Sequence, residues 1–292
     1  MASPERPILH HYEASPWAEV VRLALGLKGL AWGSVIIPSI CPKPDLVALT
    51  GGYVRTPVLQ LGADIFCDTL AILDALEARW PEPTLYPGPL GAAHRALAKE
   101  AGGATFVAAV AVALGDLPME GMEAFWEDRE RRFGLKREQF LAMAPPLRQA
   151  FAAHLAHLEG MLADGRPFLG GNVPGHGDLA HMMLVWFAAR GSPFETVSPA
   201  LAPWAHRVAA LGHGRPEPVT AEEAIAIARA AAPSVSGGEK RVQVRQEGTN
   251  DPPVEGWLAK EDATGFTLTR HDPRAGDVAV HFPREGQILS AA

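Results

Sequence analysis

The stretch from residue 81 to 91, PEPTLYPGPLG, carries four prolines and two glycines. Proline lacks a backbone donor and clashes with the turn before it, so neither a helix nor a central strand runs through such a segment. It therefore divides the chain into two parts, and the two have different textures. Before it, apolar runs of strand length alternate with helical patterns. After it, as far as about residue 232, an Ala-rich sequence keeps helical spacing.

In the first part, Ile8 to Tyr12 reads as a strand. Ser15 is a good N-cap and Pro16 suits the first helical position, where its missing N–H costs nothing. Val20, Val21, Leu23, Ala24 and Leu27 then recur at helical spacing until Gly29. Trp32 to Ile37 predicts a second strand, and the Pro-rich stretch after it leads to a short helix stopped by Gly51-Gly52. Residues 57–61 and 64–67 fit a hairpin turned at Gly62-Ala63. A helix follows from about Asp68 to Trp80. Strands interleaved with helices in this order predict a small mixed sheet covered by helices, an α+β domain over residues 1–87.

The second part, residues 92–232, predicts an all-α domain of about six helices. Its breaks fall near Leu117-Pro118, Gly134, Pro145-Pro146, Gly165, Gly191 and Gly212 to Pro218. Thr220 with Glu223 forms a capping box that opens the last helix. Beyond Pro233 the flexible SVSGGEK precedes a run in which Val242 and Val244, Phe266 and Leu268, and Val278, Val280 and Phe282 alternate with polar residues. Residues 235–292 thus read as a small all-β extension of three or four strands. At about 58 residues it is near the lower limit for an independent core, so it is expected to lean on the helical domain.

Composition excludes several classes of function. At 48% hydrophobic and 20% charged residues the chain can bury a sizeable core and is not disordered. Its 26 basic and 33 acidic residues give a net charge of −7, spread evenly, so neither nucleic acid nor an anionic membrane is expected as a partner. No apolar run is long enough to span a membrane. The start, MASPERPILHHYE, lacks the basic and apolar regions of a secretory signal, so a cytoplasmic location is expected. Cys41 and Cys67 lack CxxC spacing and read as reduced thiols.

Three local signatures, taken together, resemble the glutathione transferase family. They are HHYEASPWAEVVRLAL, with Ser15-Pro16-Trp17 between strand and helix; Arg55-Thr56-Pro57-Val58-Leu59, a basic residue followed by proline and two apolar residues; and Asp68-Thr69-Leu70-Ala71-Ile72-Leu73, an acidic residue and a hydroxyl opening an apolar helix. Their order, followed by a Pro-rich linker and an all-helical part, extends the resemblance over roughly residues 7–232. It implies a thioredoxin-like first domain, an all-helical second domain and a homodimer in which the first domain of one subunit meets the helical domain of the other.

The resemblance also implies a glutathione site. Asp68 would take the α-ammonium, and Thr69 with the helix N-terminus would take the α-carboxylate, although Asp and Thr here also serve as plain helix caps. Pro57 would be a cis proline exposing the Thr56 backbone to the cysteinyl part. Arg55, together with Lys43, is a candidate for the distal carboxylate. Ser15 would hydrogen-bond the sulfur and favour thiolate, the nucleophilic form, with Tyr12 as the competing hydroxyl. A cysteine at position 15 would have implied disulfide exchange; serine there argues against a glutaredoxin-like reductase.

In the second part, Asn172-Val173-Pro174-Gly175-His176-Gly177-Asp178 is similar to the family's buried N-capping motif, but glycine stands where Ser or Thr is usual. Two histidine pairs, His154 with His157 and His176 with His181, have no third ligand at metal spacing, so no metal is expected. Phe106, Met122, Phe125 and Trp126 either line an apolar substrate pocket or belong to the core. The expected function is activation of the glutathione thiol for attack on a small, apolar electrophile. The alternative is a non-catalytic binding or assembly module that uses the β-rich extension.

Overall fold

The first part folds through β1 (Ile8–His11), α1 (Pro16–Leu27), β2 (Ala31–Ile36), α2 (Pro44–Thr50), β3 (Val58–Leu61), β4 (Asp64–Cys67) and α3 (Thr69–Arg79). The structure, a computed structural model, describes residues 6–116 and 120–292; the break expected near Leu117-Pro118 lies outside them. β1 runs parallel to β2 and antiparallel to β3, which pairs antiparallel with β4. Leu9 and Ile8 point to opposite faces of the sheet, as successive strand residues must, and each face is buried in its own core.

The helical part comprises α4 (Ala93–Glu100), α5 (Gly103–Leu114), α6 (Glu123–Phe133), α7 (Arg137–Met161), α8 (His176–Ala189) and α9 (Ala202–Ala209). α8 is buried along most of its length because it packs on α1 on one side and on α4, α5 and α9 on others. Leu9, Val20, Leu23, Ile72, Phe151, Leu179, Met183 and Trp204 share one core, so the two parts are joined by apolar packing. Among the described residues no single helix is long and apolar enough to cross a membrane.

The break expected at Pro145-Pro146 does not occur: α7 continues through both prolines. Its halves are anchored separately, Phe140 and Ala144 with Trp126 and Ala111 in one cluster, and Phe151, Leu155 and Leu158 in the main core. Burial on both sides overrides a local cost of roughly 3 kcal/mol per interior proline.

The larger correction concerns the end of the chain. β5 (Arg215–Pro218) adds to β2 in parallel as an edge strand, a position where Pro216 and Pro218 are tolerated. α10 (Ala221–Ala230) opens with the expected Thr220 and Glu223 capping box and packs on α2, on the sheet face opposite α1. The extension then forms five strands, β6 (Lys240–Gln246), β7 (Val254–Glu261), β8 (Gly265–Asp272), β9 (Gly276–Pro283) and β10 (Gln287–Ala291). It leans mainly on the sheet of the first domain, and touches the helical part by polar contacts such as Arg132 with Asp251 and Lys99 with Glu285. β9 pairs in parallel with β4, with Ile65 opposite Val280, and one ten-stranded sheet results in the order β10-β6-β7-β8-β9-β4-β3-β1-β2-β5. The reason is that β4 otherwise ends the sheet with unpaired backbone groups, and the alternating face of the extension completes the second core: Val242, Val244, Phe266, Leu268, Val278, Val280 and Phe282 meet Ile65, Cys67, Tyr53 and Ile225 there.

Candidate functional site

Strand register brings the three signatures to one edge of the sheet. His10 lies opposite Val58 across β1 and β3, and Val58 lies opposite Cys67 across β3 and β4. The loop after β1, which holds Tyr12 and Ser15, the Thr56-Pro57 step before β3, and the Asp68-Thr69 step after β4 therefore leave the sheet side by side.

Ser15 caps α1: its Oγ accepts from the Ala18 N–H at 3.3 Å, and its own N–H donates to the Tyr12 carbonyl at 3.1 Å. Ser15 is 2% exposed, whereas Tyr12 is half-buried. The loop is held by Arg22, which the sequence reading passed over. Its guanidinium donates to the carbonyls of Tyr12 (3.3 Å) and Glu13 (2.9 Å), and to the buried Glu19 at 2.6 Å. His213 reaches the other Glu19 oxygen at 3.0 Å. Burial would raise the Glu19 carboxyl, but the His213 and Arg22 bonds outweigh it and hold it below its ordinary value.

The Thr56–Pro57 bond is cis. The Lys43 ammonium donates to the Thr56 hydroxyl at 3.1 Å and to the Val54 carbonyl at 2.9 Å, and sits 5.8 Å from the centre of the Tyr12 ring. Burial, followed by the Arg132 charge, lowers it to about 8. Asp68 caps α3, its Oδ1 accepting from the Leu70 N–H at 3.0 Å. Its φ of 82° and ψ of 144° fall in a region nearly reserved to glycine, the kind of strain, about 1–3 kcal/mol, that clusters at ligand sites. Burial pushes the Asp68 carboxyl up, against the Leu70 N–H and the Arg55 charge. Thr69 is buried beside it. Arg55 donates to the Glu247 carbonyl at 2.6 Å, so the extension reaches this edge of the sheet.

α6 also reaches it. Asp128 accepts from the Cys41 N–H at 3.1 Å and pairs with Arg129 and with Arg131, while Arg132 is gripped by both oxygens of Asp251 at 2.7 Å. The i, i+4 spacing of Asp128 and Arg132 was a visible signal of a helical charge pair. Asp251, 119 positions away, was not.

In the helical part, Asp178 takes the Leu169 N–H at 2.8 Å, the Gly175 N–H at 3.0 Å and the Trp204 indole at 2.9 Å. Glycine at 175 has a steric reason: a Cβ there would lie 2.5 Å from the His94 ring, which is fully buried. Of the aromatic candidates, Trp126 belongs to a core cluster with Phe140, and Met122 and Phe125 pack on it. Phe106 instead lies between Trp17, whose ring is tilted against it at 5.3 Å, and Phe187, on which it stacks at 6.3 Å, all three half-buried. Among the described residues no group of three or more His, Cys, Asp or Glu is arranged to hold a metal ion.

Comparison with known proteins adds the ancestry. The model described as glutathione S-transferase, N-terminal domain, matches residues 9–84, the segment that contains all three signatures. No curated protein matches the chain significantly. Among solved structures, a GST-like protein from Pseudomonas syringae is 34% identical over 98% of this chain and 100% of its own, with a TM-score of 0.79; that likeness takes in the C-terminal strands. A glutathione S-transferase from Methylobacterium radiotolerans, solved with glutathione sulfonate, is 23% identical over 74% of this chain and 98% of its own, with a TM-score of 0.50. Glutathione S-transferase III in its apo form is 18% identical over 70% of this chain and 92% of its own, with a TM-score of 0.52. These two show the common fold. With such identity to the Pseudomonas protein along the whole length of both chains, this protein belongs to the glutathione S-transferase-like family.

Proposed function

We propose that the protein binds glutathione along the sheet edge where β1, β3 and β4 end, and activates its thiol for attack on a small electrophile. The observation that carries this reading is the register that sets Ser15, Thr56-Pro57 and Asp68-Thr69 side by side. The Asp68 carboxyl, half-buried and with no cation hydrogen-bonded to it among the described residues, suits the α-ammonium of the γ-glutamyl group. The N-terminus of α3, with Thr69, suits its α-carboxylate. The Thr56 backbone would pair with the cysteinyl residue, with Arg55 and Lys43 toward the distal carboxylate.

Ser15 then does the chemistry of activation. Its oxygen already accepts from Ala18, so its proton is left to donate to sulfur. A hydroxyl donor beside the N-terminus of α1 favours thiolate over thiol. The thiol proton leaves to solvent, the thiolate's electron pair forms the new carbon–sulfur bond, and the electrophile's leaving group departs with the electrons of the bond broken, as chloride does from chlorodinitrobenzene. Trp17, two residues along the chain from Ser15, and the Phe106 and Phe187 rings that pack beyond it offer an apolar substrate a surface.

The alternative, a non-catalytic assembly module, drew on two features that have structural explanations: Gly175 makes room for His94, and the extension completes a core. Calorimetry with millimolar glutathione, followed by turnover of chlorodinitrobenzene, tests the proposal; absence of binding overturns it. The homodimer implied by the family is tested by sedimentation velocity, where a monomer at all concentrations would refute it.

A further inference from the structure

The loop between β6 and β7, residues 247–253, touches the candidate site from a part of the chain that a transferase of two domains does not need. Its Glu247 carbonyl holds Arg55. Its Asp251 takes Arg132 through two bonds, both side chains being buried. The Asn250 N–H donates to the Arg132 carbonyl at 2.7 Å, and the Asn250 side chain donates to the Arg131 carbonyl at 3.2 Å. The Pro253 carbonyl comes so close to Gly52 that a Cβ there would be 3.2 Å from it. α6, fastened to the extension at its last turn, is fastened to the loop after β2 one turn earlier, through Cys41 to Asp128 and Arg129 to Ser39 (3.3 Å).

These contacts gather charge. Lys43, Arg55, Arg129, Arg131 and Arg132 come together with two carboxylates bonded to them, Asp128 and Asp251, in a chain whose net charge is −7. With Asp68, whose carboxyl feels the Arg55 charge, five cations stand against three carboxylates, and Lys43 brings positive charge to Thr56, to which it is bonded. An anion is the ligand such a corner accommodates, and a carboxylate matches the planar forks of arginine.

We infer that residues 247–253 are a working part of the ligand site: through the Asp251–Arg132 pair they position α6, and with Arg55 they build a carboxylate-binding corner at its Thr56 end. This rests on the glutathione reading, for which the carboxylate is the glycyl one, distal to the thiol. Asp251 is a positioning residue, since it acts through Arg132 and need not touch the ligand. The extension thereby has a role in affinity in addition to its part in the core.

The test compares glutathione with its glycyl ethyl ester, which keeps the thiol and γ-glutamyl group and removes the distal charge. Calorimetry on the full-length protein is expected to show glutathione bound about tenfold more tightly than the ester, the size of one charge-assisted hydrogen bond. In Asp251→Asn that preference falls to about twofold or less, with the ester's affinity unchanged. Equal binding of both ligands by the wild type, or an equal loss for both in the variant, overturns the inference while leaving glutathione binding intact. Binding of neither by the wild type overturns the glutathione reading and this inference with it. If Asp251→Asn does not fold, the exposed Asn250→Ala carries the same comparison; an unchanged preference there counts against the corner, and a partial loss supports it.

Discussion

The Ser15 oxygen accepts from Ala18, so Ser15→Ala removes both a cap and a donor to sulfur. Thiol ionisation near 8.5 depressed by about one or two units gives about 10- to 100-fold more thiolate at a pH below the depressed value, and this is the loss in kcat expected of the variant there, with glutathione affinity nearly kept. An unchanged rate with a slow Tyr12→Phe would move the role to Tyr12. Gly175 makes a second point. Serine there would improve the cap by a few tenths of a kcal/mol, but its Cβ would meet the His94 ring at 2.5 Å. Gly175→Ser should therefore lower stability by about 1–3 kcal/mol by overpacking. Thermal denaturation checks it, and Gly175→Ser combined with His94→Ala should recover part of the loss. The Asp178 motif was legible because its parts are close in sequence. His94, which explains the glycine, comes from another helix and carries no local mark of its role.

At the scale of elements, α7 and the buried histidines make separate predictions. α7 was expected to break at Pro145-Pro146, because a local rule sees the missing donors and not the packing of Phe140 and Phe151 on either side. Replacing both prolines with alanine restores two backbone donors, and the gain should be about 1–3 kcal/mol after the more flexible unfolded chain is set against it; an unchanged or lower Tm would contradict this. The histidines lie on two central elements. Burial lowers His10 and His11 on β1 to about 4 each, and lowers His176 and His181 on α8 to about 3 each. In the unfolded chain they protonate near 6.5, so between about 6.5 and 4 the unfolded state binds protons that the folded state refuses. Stability is full above that window and falls as the pH drops through it. Asp68 and Asp178, whose carboxyls burial raises, act in the opposite sense and offset part of the fall. The Tm should decline from pH 6.5 toward 4.5, and a flat profile would show that these rings are not held neutral.

For the whole molecule the decisive seam is β4 with β9. Each strand is a short apolar run bounded by turn residues, which is enough to find it in the sequence, but such a run does not say which neighbour it pairs with, and the partners Ile65 and Val280 are far apart in the chain. The first domain was legible because its caps, periodicity and turns are local; the placement of the extension was not, because only the second core decides it. Deleting residues 235–292 also removes the cost of ordering them, so the loss to weigh is what they cover: Tyr53, Ile65, Cys67 and Ile225, all buried in that core. Exposing side chains of this kind costs roughly 1.5–3 kcal/mol each, which together is comparable with the roughly 5–15 kcal/mol that keeps a domain folded. The His281 bond to Asp64, at 2.7 Å, lies on the same seam, and losing it together with β9 leaves the β4 edge open to pairing between molecules. The shortened chain is expected to aggregate, or to melt well below the full-length protein. A soluble product with an unchanged Tm would mean that the first domain closes its own core, and the extension would then be an accessory to the fold.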